Sequence, residues 1–173
     1  MIKVDIRSFD TANVGSFNYM FLECSCLRYI YGIQDLNTSE LLSAQGMFSG
    51  CSQLFSLDLS QWNTPKLINC NEMFSGCGVL FNLDISNWDT RYITSFTPPP
   101  NVKYIIMDEE EVKFNGDFIF NNPNNKVKYL VPTSVLNEYK AHPNWSSRAS
   151  QIYDVTDFNI VRYNGQVEVN PNI

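Results

Sequence analysis

Hydrophobic and polar positions recur along this chain at a fixed spacing. Residues 47–64, MFSGCSQLFSLDLSQWNT, return at 73–90 as MFSGCGVLFNLDISNWDT, with every matching position offset by 26. Met47, Phe48, Cys51, Leu54, Leu57, Asp58, Leu59, Trp62 and Thr64 map onto Met73, Phe74, Cys77, Leu80, Leu83, Asp84, Ile85, Trp88 and Thr90. A weaker copy lies upstream in Met20, Phe21, Cys24, Leu27 and Ile30, followed by Leu36, Asn37 and Thr38. Its offset to the next copy is 27 up to Ile30 and 26 afterwards, which predicts a bulge near Gly32. Half a copy precedes it, Val4-Asp5-Ile6 and then Phe9-Asp10-Thr11. A fixed period between about 20 and 50 residues marks a stacked-repeat architecture.

Each repeat has two halves. Leu57-Asp58-Leu59 and Leu83-Asp84-Ile85 alternate apolar and polar, as a half-buried strand does, with the aspartates pointing outward. Over 67–74 the spacing of Leu67, Ile68, Cys70, Met73 and Phe74 predicts a short helix with Met73 and Phe74 turned inward. Asn63-Thr64-Pro65 and Asp89-Thr90 are turn residues whose short polar side chains can cap the next helix. The expected fold is an α/β right-handed solenoid of short parallel strands and short helices. One such unit cannot bury its own apolar face, and stacking supplies the core.

The pattern MFxGCxxLxxLDLSxWNTxxV resembles the BspA-like leucine-rich repeats of bacterial surface proteins. The likeness covers 3–96 and is close over 47–90. Residues 31–38 resemble a variant of its strand half. Phe9 and Leu36 stand where the Trp is expected, and Leu22-Glu23 replaces Ser-Gly before Cys24. Proteins of that kind are implicated in adhesion, so the resemblance implies a binding role.

The repeat is expected to stop at Pro98-Pro99-Pro100, since a proline run cannot continue a strand ladder. Beyond it, 102–107 and 127–131 read as strands. Pro132-Thr133-Ser134 opens a helix with Val135, Leu136 and Tyr139 on one face, ended by His142-Pro143, and a helical turn comes next, near 145–152. This stretch resembles the closing segment of BspA-like repeat domains, which implies a cap. Residues 158–169 are a hairpin turning at Asn164-Gly165, where both turn positions need positive φ. The hairpin packs on the cap or forms a tail. The expected organisation is a repeat solenoid over 1–97, a capping segment over 98–155 and a hairpin tail over 156–173.

Composition narrows the function classes. Hydrophobic residues make up 44% and aromatics 14%, enough for a core, whereas charged residues are only 17%. That balance suits an uncharged extracellular or virion surface better than a free cytosolic enzyme. The net charge is -6 with a pI near 4.7, and no Lys/Arg cluster occurs, which disfavours nucleic acid. No apolar run approaches the roughly 20 residues a membrane span needs. Residues 1–20 carry no signal-peptide pattern.

Candidate chemistry is sparse. Cys24, Cys51 and Cys77 share one repeat position, which points to a buried ladder of free thiols beside Cys26 and Cys70. A disulfide or a zinc site is the alternative, although the odd count and the tight Cys24-Ser25-Cys26 spacing suit neither. His142 reads as a surface or capping residue rather than a general base. The run Asp108-Glu109-Glu110-Glu111 reads as a solvated loop, with a metal or partner site as the alternative. Trp62 and Trp88 are core ladders or sugar-stacking rings.

Asp5, Asp58 and Asp84 form a column on the outer strand face. They serve either as acceptors for backbone groups of the adjoining turns or, with Arg7, Ser60 and Ser86, as a binding face. Ile2, Val4, Ile6 and Phe9 form a candidate contact surface at the first repeat, which either earlier repeats of a longer protein, or a second copy or another partner, would cover. No catalytic site, cofactor or metal is expected. The expectation is a non-enzymatic module that recognises a protein or glycan at a bacterial cell surface. The alternative is a fibre or receptor-binding component of a phage virion.

Overall fold

The computed structural model describes residues 2–93, 95–107, 119–120, 126–143 and 145–172. The expected strands stack as predicted, in parallel. Strands β1 (Ile2–Asp5) and β2 (Leu27–Tyr31) pair with each other. A second ladder runs β3 (Ser56–Asp58), β4 (Asn82–Asp84), β6 (Tyr104–Ile106), β8 (Lys128–Val131) and β9 (Ile152–Asp154). On another side of the coil, β5 (Ser95–Phe96) pairs with β7 (Ile119–Phe120). The register is that of the repeat: Leu57 lies beside Leu83 and Asp58 beside Asp84.

The molecule is a parallel-strand β-solenoid with little helix, which corrects the expected α/β unit. The segment 67–74 is not helical. Glu72 and Gly76 sit at φ 55° and 73°, in the left-handed region that ends a helix. The same two positions recur as Gly46 and Gly50, and as Tyr19 and Glu23, all with positive φ. These corners aim backbone N–H groups at the neighbouring turn instead of along a helix. Phe21 N donates to the Met47 carbonyl and Phe48 N to that of Met73, both at 2.9 Å. Gly46 N reaches Asn71 O and Gly50 N reaches Ser75 O. The turn threonines likewise stitch coil to coil rather than capping helices. Thr11 Oγ1 donates to Asn37 O at 3.0 Å and Thr38 Oγ1 to Asn63 O at 2.8 Å, while Thr64 Oγ1 accepts from Asp89 N.

Inside the coil the repeated apolar residues form columns. Phe21, Phe48 and Phe74 stack with ring centroids 5.7 and 5.8 Å apart, and Phe96 meets Phe74 edge-on. Trp62 and Trp88 are fully buried and stack at 6.1 Å. They are core ladders, which leaves no tryptophan face for a sugar. Leu36 fills the Trp position of its turn and is buried, whereas Phe9 is exposed.

The expected bulge lies within β2 itself, where the pairing passes from Ile2–Leu27 to Lys3–Tyr29 and leaves Arg28 extra, whereas Gly32 is a corner. Gly32 takes φ 86° and leads into a 3₁₀ turn, Ile33–Asp35, and the two ladders separate there. The proline run does not end the strand ladder. Pro98 and Pro99 lie in the connection before β6, and β6 pairs directly with β4, so 104–106 and 128–131 extend the repeat ladder. The helix α1 (Leu136–Ala141) buries Tyr139 against Trp145, and His142 closes it with its backbone N–H. A 3₁₀ stretch, Ser146–Gln151, comes after it. No helix of the described residues is long and apolar enough to cross a membrane.

The hairpin of β10 (Phe158–Tyr163) and β11 (Gln166–Pro171) turns at Asn164-Gly165, with φ 49° and 76°. It folds back over the outer face of the second ladder. At its root, Phe158, Val167 and Val169 pack on the outward side chains Ile106 and Leu130, forming a second small core. Lys128 Nζ sits 5.0–5.9 Å from the centroids of Tyr104, Tyr153 and Phe158, a cation held among three rings. At its tip, the Gly165 carbonyl accepts from Asp58 N at 3.0 Å. The tip therefore satisfies a backbone donor of β3 at the break between the two ladders.

Gly165 has no room for a side chain. A Cβ there would lie 2.7 Å from the Ile30 carbonyl oxygen and 2.7 Å from Ile33 Cγ2. Gly165→Ala is expected to cost at least about 1–2 kcal/mol from backbone conformation alone. Equilibrium denaturation checks this, and an unchanged midpoint would place the tip elsewhere.

Candidate functional site

The outward repeat residues meet the hairpin, and a depression lined by polar residues forms there. Each outward aspartate first serves its own turn. Asp5 Oδ1 accepts from Arg7 N, Asp58 Oδ1 from Ser60 N and Asp84 Oδ1 from Ser86 N, at 3.0–3.1 Å. Asp10, Asp89 and Asp154 do the same for the residue two ahead. A carboxylate two residues before an N–H fixes the strand-to-turn bend, which is why aspartate recurs.

The column is not one open face. Asp5 and Arg7 are exposed and form a bidentate ion pair, with Arg7 Nη2 2.5 Å from Asp5 Oδ2. The Arg7 hydrogen bonds hold the Asp5 carboxyl down at about 2. Asp58, Ser60, Asp84 and Ser86 are buried, at 5%, 4%, 0% and 5% exposure. For these four the expectation of a freely presented face is corrected, because the hairpin lies across them. Arg162 of β10 donates through Nε to Asp84 Oδ2 at 2.6 Å, and its Nη2 lies 3.4 Å from Ser86 Oγ. Ser86 Oγ also donates to Asp84 Oδ1. Burial pushes the Asp84 carboxyl upward, and the Arg162 charge and the Ser86 hydrogen bonds pull against it. Arg162 is thus the residue that sequence reasoning missed. Its partner is 78 positions away, and no local signal links them.

Beside this pair lies a polar pocket of about 210 Å³ lined by Ser60, Gln61, Ser86, Asn87 and Arg162. Ser60-Gln61 and Ser86-Asn87 occupy the same repeat position in adjacent turns. The Asn87 side-chain amide donates to the Ser60 carbonyl and ties those turns together.

At the other end, Ile2 and Phe9 are each 53% exposed and Val4 is half-buried. Ile6 is 2% exposed and belongs to the chain's own core, which removes it from the expected contact surface. A groove of about 250 Å³ runs between Ile2, Val4, Cys24, Cys26 and Leu27.

The thiol ladder is shorter than expected. Cys51, Cys70 and Cys77 are buried, but Cys24 and Cys26 are exposed on an outer turn. Cys51 Sγ donates to Phe21 O and Cys77 Sγ to Phe48 O, and burial pushes all three buried thiols up to about 12. Since the thiolate is the nucleophile, these three are inert in the fold. A thiol reagent is expected to label two cysteines in the native protein and all five after denaturation; rapid native labelling of a third would contradict the stack. Asp108, Glu109, Glu110 and Glu111 lie outside the described residues. Among the described residues no group of three or more His, Cys, Asp or Glu is placed to hold a metal ion.

A family model described as "Mycoplasma protein of unknown function, DUF285" matches residues 1–98. No curated protein and no solved structure matches the chain. The matched stretch covers the repeat region and more than half of the 173 residues, so the chain belongs to the DUF285 family.

Proposed function

We propose that this chain is a non-enzymatic recognition module of the BspA-like leucine-rich-repeat kind, mediating adhesion or protein and glycan recognition at a bacterial cell surface. One observation carries the reading. The 26-residue repeat spends its fixed positions on the core, on the turn aspartates and on coil-to-coil hydrogen bonds, while exposed positions such as Glu40, Lys66 and Tyr92, which are 26 residues apart, differ from turn to turn. Leu42, Ile68 and Tyr92 stand exposed on a backbone stitched turn by turn, and the Lys66–Glu40 ion pair bridges two of those turns. A rigid face with variable side chains suits binding, and its variation costs the core nothing.

In this reading the segment from β8 through α1 to β9 closes the end of the stack. The exposed Asp5 and Arg7 and the Ile2–Phe9 edge are further contact points. The test is binding of the labelled full chain to bacterial cells, and to arrays of extracellular-matrix proteins and glycans. Saturable binding that heat denaturation abolishes is the expected result. Binding to none of these surfaces would overturn the reading.

A further inference from the structure

We propose that the open edge of β1 pairs with the same edge of a second copy, antiparallel about a two-fold axis at Val4, with Lys3 of each copy opposite Asp5 of the other. This pairing does not depend on the recognition-module reading; it would join two such modules. Among the described residues β1 is paired on one side only, with β2. The Ile6 N–H donates to the Tyr31 carbonyl of β2. Backbone groups alternate sides along a parallel strand, so those of Lys3 and Asp5 point to the open edge. Unpaired strand groups at an edge are a template for another chain. Elsewhere the molecule itself fills this position. Asp58 is the repeat counterpart of Asp5, and Leu59 that of Ile6. Leu59 N donates into the ladder, to Asp84 O, while Asp58 N points the other way and meets the Gly165 carbonyl of the hairpin tip at 3.0 Å. None of the described residues does the same for β1.

Charge selects the occupant and its register. Lys3 and Asp5 are exposed on the outward face, with Lys3 Nζ 5.5 and 5.6 Å from the ring centroids of Tyr29 and Tyr31. A two-fold axis at Lys3 would oppose the two lysines. An axis at Asp5 would oppose the two aspartates and set Arg7 against Lys3. Like charges directly opposite are destabilising. An axis at Val4 instead sets Lys3 against Asp5 twice. These are the residues whose backbone groups face the partner, so each opposed pair exchanges both of its hydrogen bonds. Asp5 already accepts from three Arg7 nitrogens, and a carboxylate's roughly four acceptor positions leave room for the lysine. On the inward face the same register puts Val4 against Val4 and the exposed Ile2 against Ile6, beside the groove lined by Ile2, Val4 and Leu27. So short a strand pair buries less than the roughly 1,600 Å² of a standard interface, and the dimer is correspondingly weak.

The test is sedimentation of the full chain up to about 1 mM, where weak contacts are populated, with amide exchange read by NMR on the same samples. The buffer is reducing, because Cys24 and Cys26 are exposed. A dimer is expected. The Lys3 and Asp5 amides should exchange more slowly as concentration rises, while the Ile6 amide is protected throughout. Lys3→Glu makes both symmetry-related pairs repulsive and should weaken association more than about tenfold, with its melting temperature unchanged. Lys3→Glu mixed with Asp5→Lys should associate again, since each pair then joins opposite charges. Should Asp5→Lys fail to fold, the amide exchange and Lys3→Glu decide alone.

A chain that stays monomeric at that concentration would overturn the proposal and leave the edge to a strand of another protein. Association that leaves the Asp5 amide exchanging freely, as docking through the exposed Val161 and Tyr163 would, overturns it too. So does association that Lys3→Glu does not weaken.

Discussion

Arg162→Gln is expected to destabilise the protein by about 3–5 kcal/mol near neutral pH, because it leaves a carboxylate buried without its countercharge. Asp84 has no exposed surface and receives the Arg162 Nε at 2.6 Å. Burial raises its pKa from the ordinary value, and the Arg162 charge opposes that rise. A carboxyl whose folded pKa is raised favours folding in its protonated form. Its contribution is intact below the unfolded value of about 3.9 and is lost as pH rises through the folded pKa. Removing Arg162 raises the folded pKa further. The deficit of the variant is therefore smallest below about pH 4 and grows toward neutrality. Denaturant melts of wild type and variant across that range measure it. A deficit that stays constant with pH, or shrinks as pH rises, would show that the pair is not the source.

Trp62→Ala is expected to cost about 3–5 kcal/mol, the usual range for removing a buried aromatic. Trp62 is fully buried, stacks on Trp88 at 6.1 Å and meets Phe17 at 6.0 Å. Its indole N–H donates to the Ile33 carbonyl at 2.7 Å, at the corner where the two strand ladders part. The substitution thus opens a cavity and orphans the Ile33 carbonyl where the two strand ladders part. Phe9→Ala, at the same repeat position in the first turn but half exposed, should cost far less. Thermal melts that ranked Phe9 above Trp62 would invalidate the repeat register.

Much of the coil is legible in the sequence because inward positions admit few side chains. Leu57, Leu83, Trp62 and Trp88 recur at 26, and each is buried where the period puts it. The hairpin is legible from Asn164-Gly165, since few other pairs tolerate two positive φ angles. The corners are not legible. Tyr19, Glu23 and Glu72 take left-handed conformations that their residue types give no reason to expect, so 67–74 reads as a helix. Where the hairpin docks is equally hidden. It depends on Arg162 reaching Asp84 and on Gly165 fitting beside Ile30, contacts with no periodic signature. The outward aspartates are recognisable as turn acceptors, but nothing in their spacing announces that a distant strand covers two of them.

The fold-back of the hairpin onto the repeat ladder is what makes Arg162, the pocket and the buried aspartates one site. The most direct measurement of it is NMR hydrogen exchange at two neighbouring amides. Asp58 N–H donates to the hairpin tip at Gly165, while Leu59 N–H donates to Asp84 within the ladder. In wild type both should be protected. In Gly165→Ala, Asp58 should lose protection selectively and Leu59 should keep it. An Asp58 amide that exchanges freely in wild type, or that stays as protected as Leu59 in the variant, would contradict the docked hairpin.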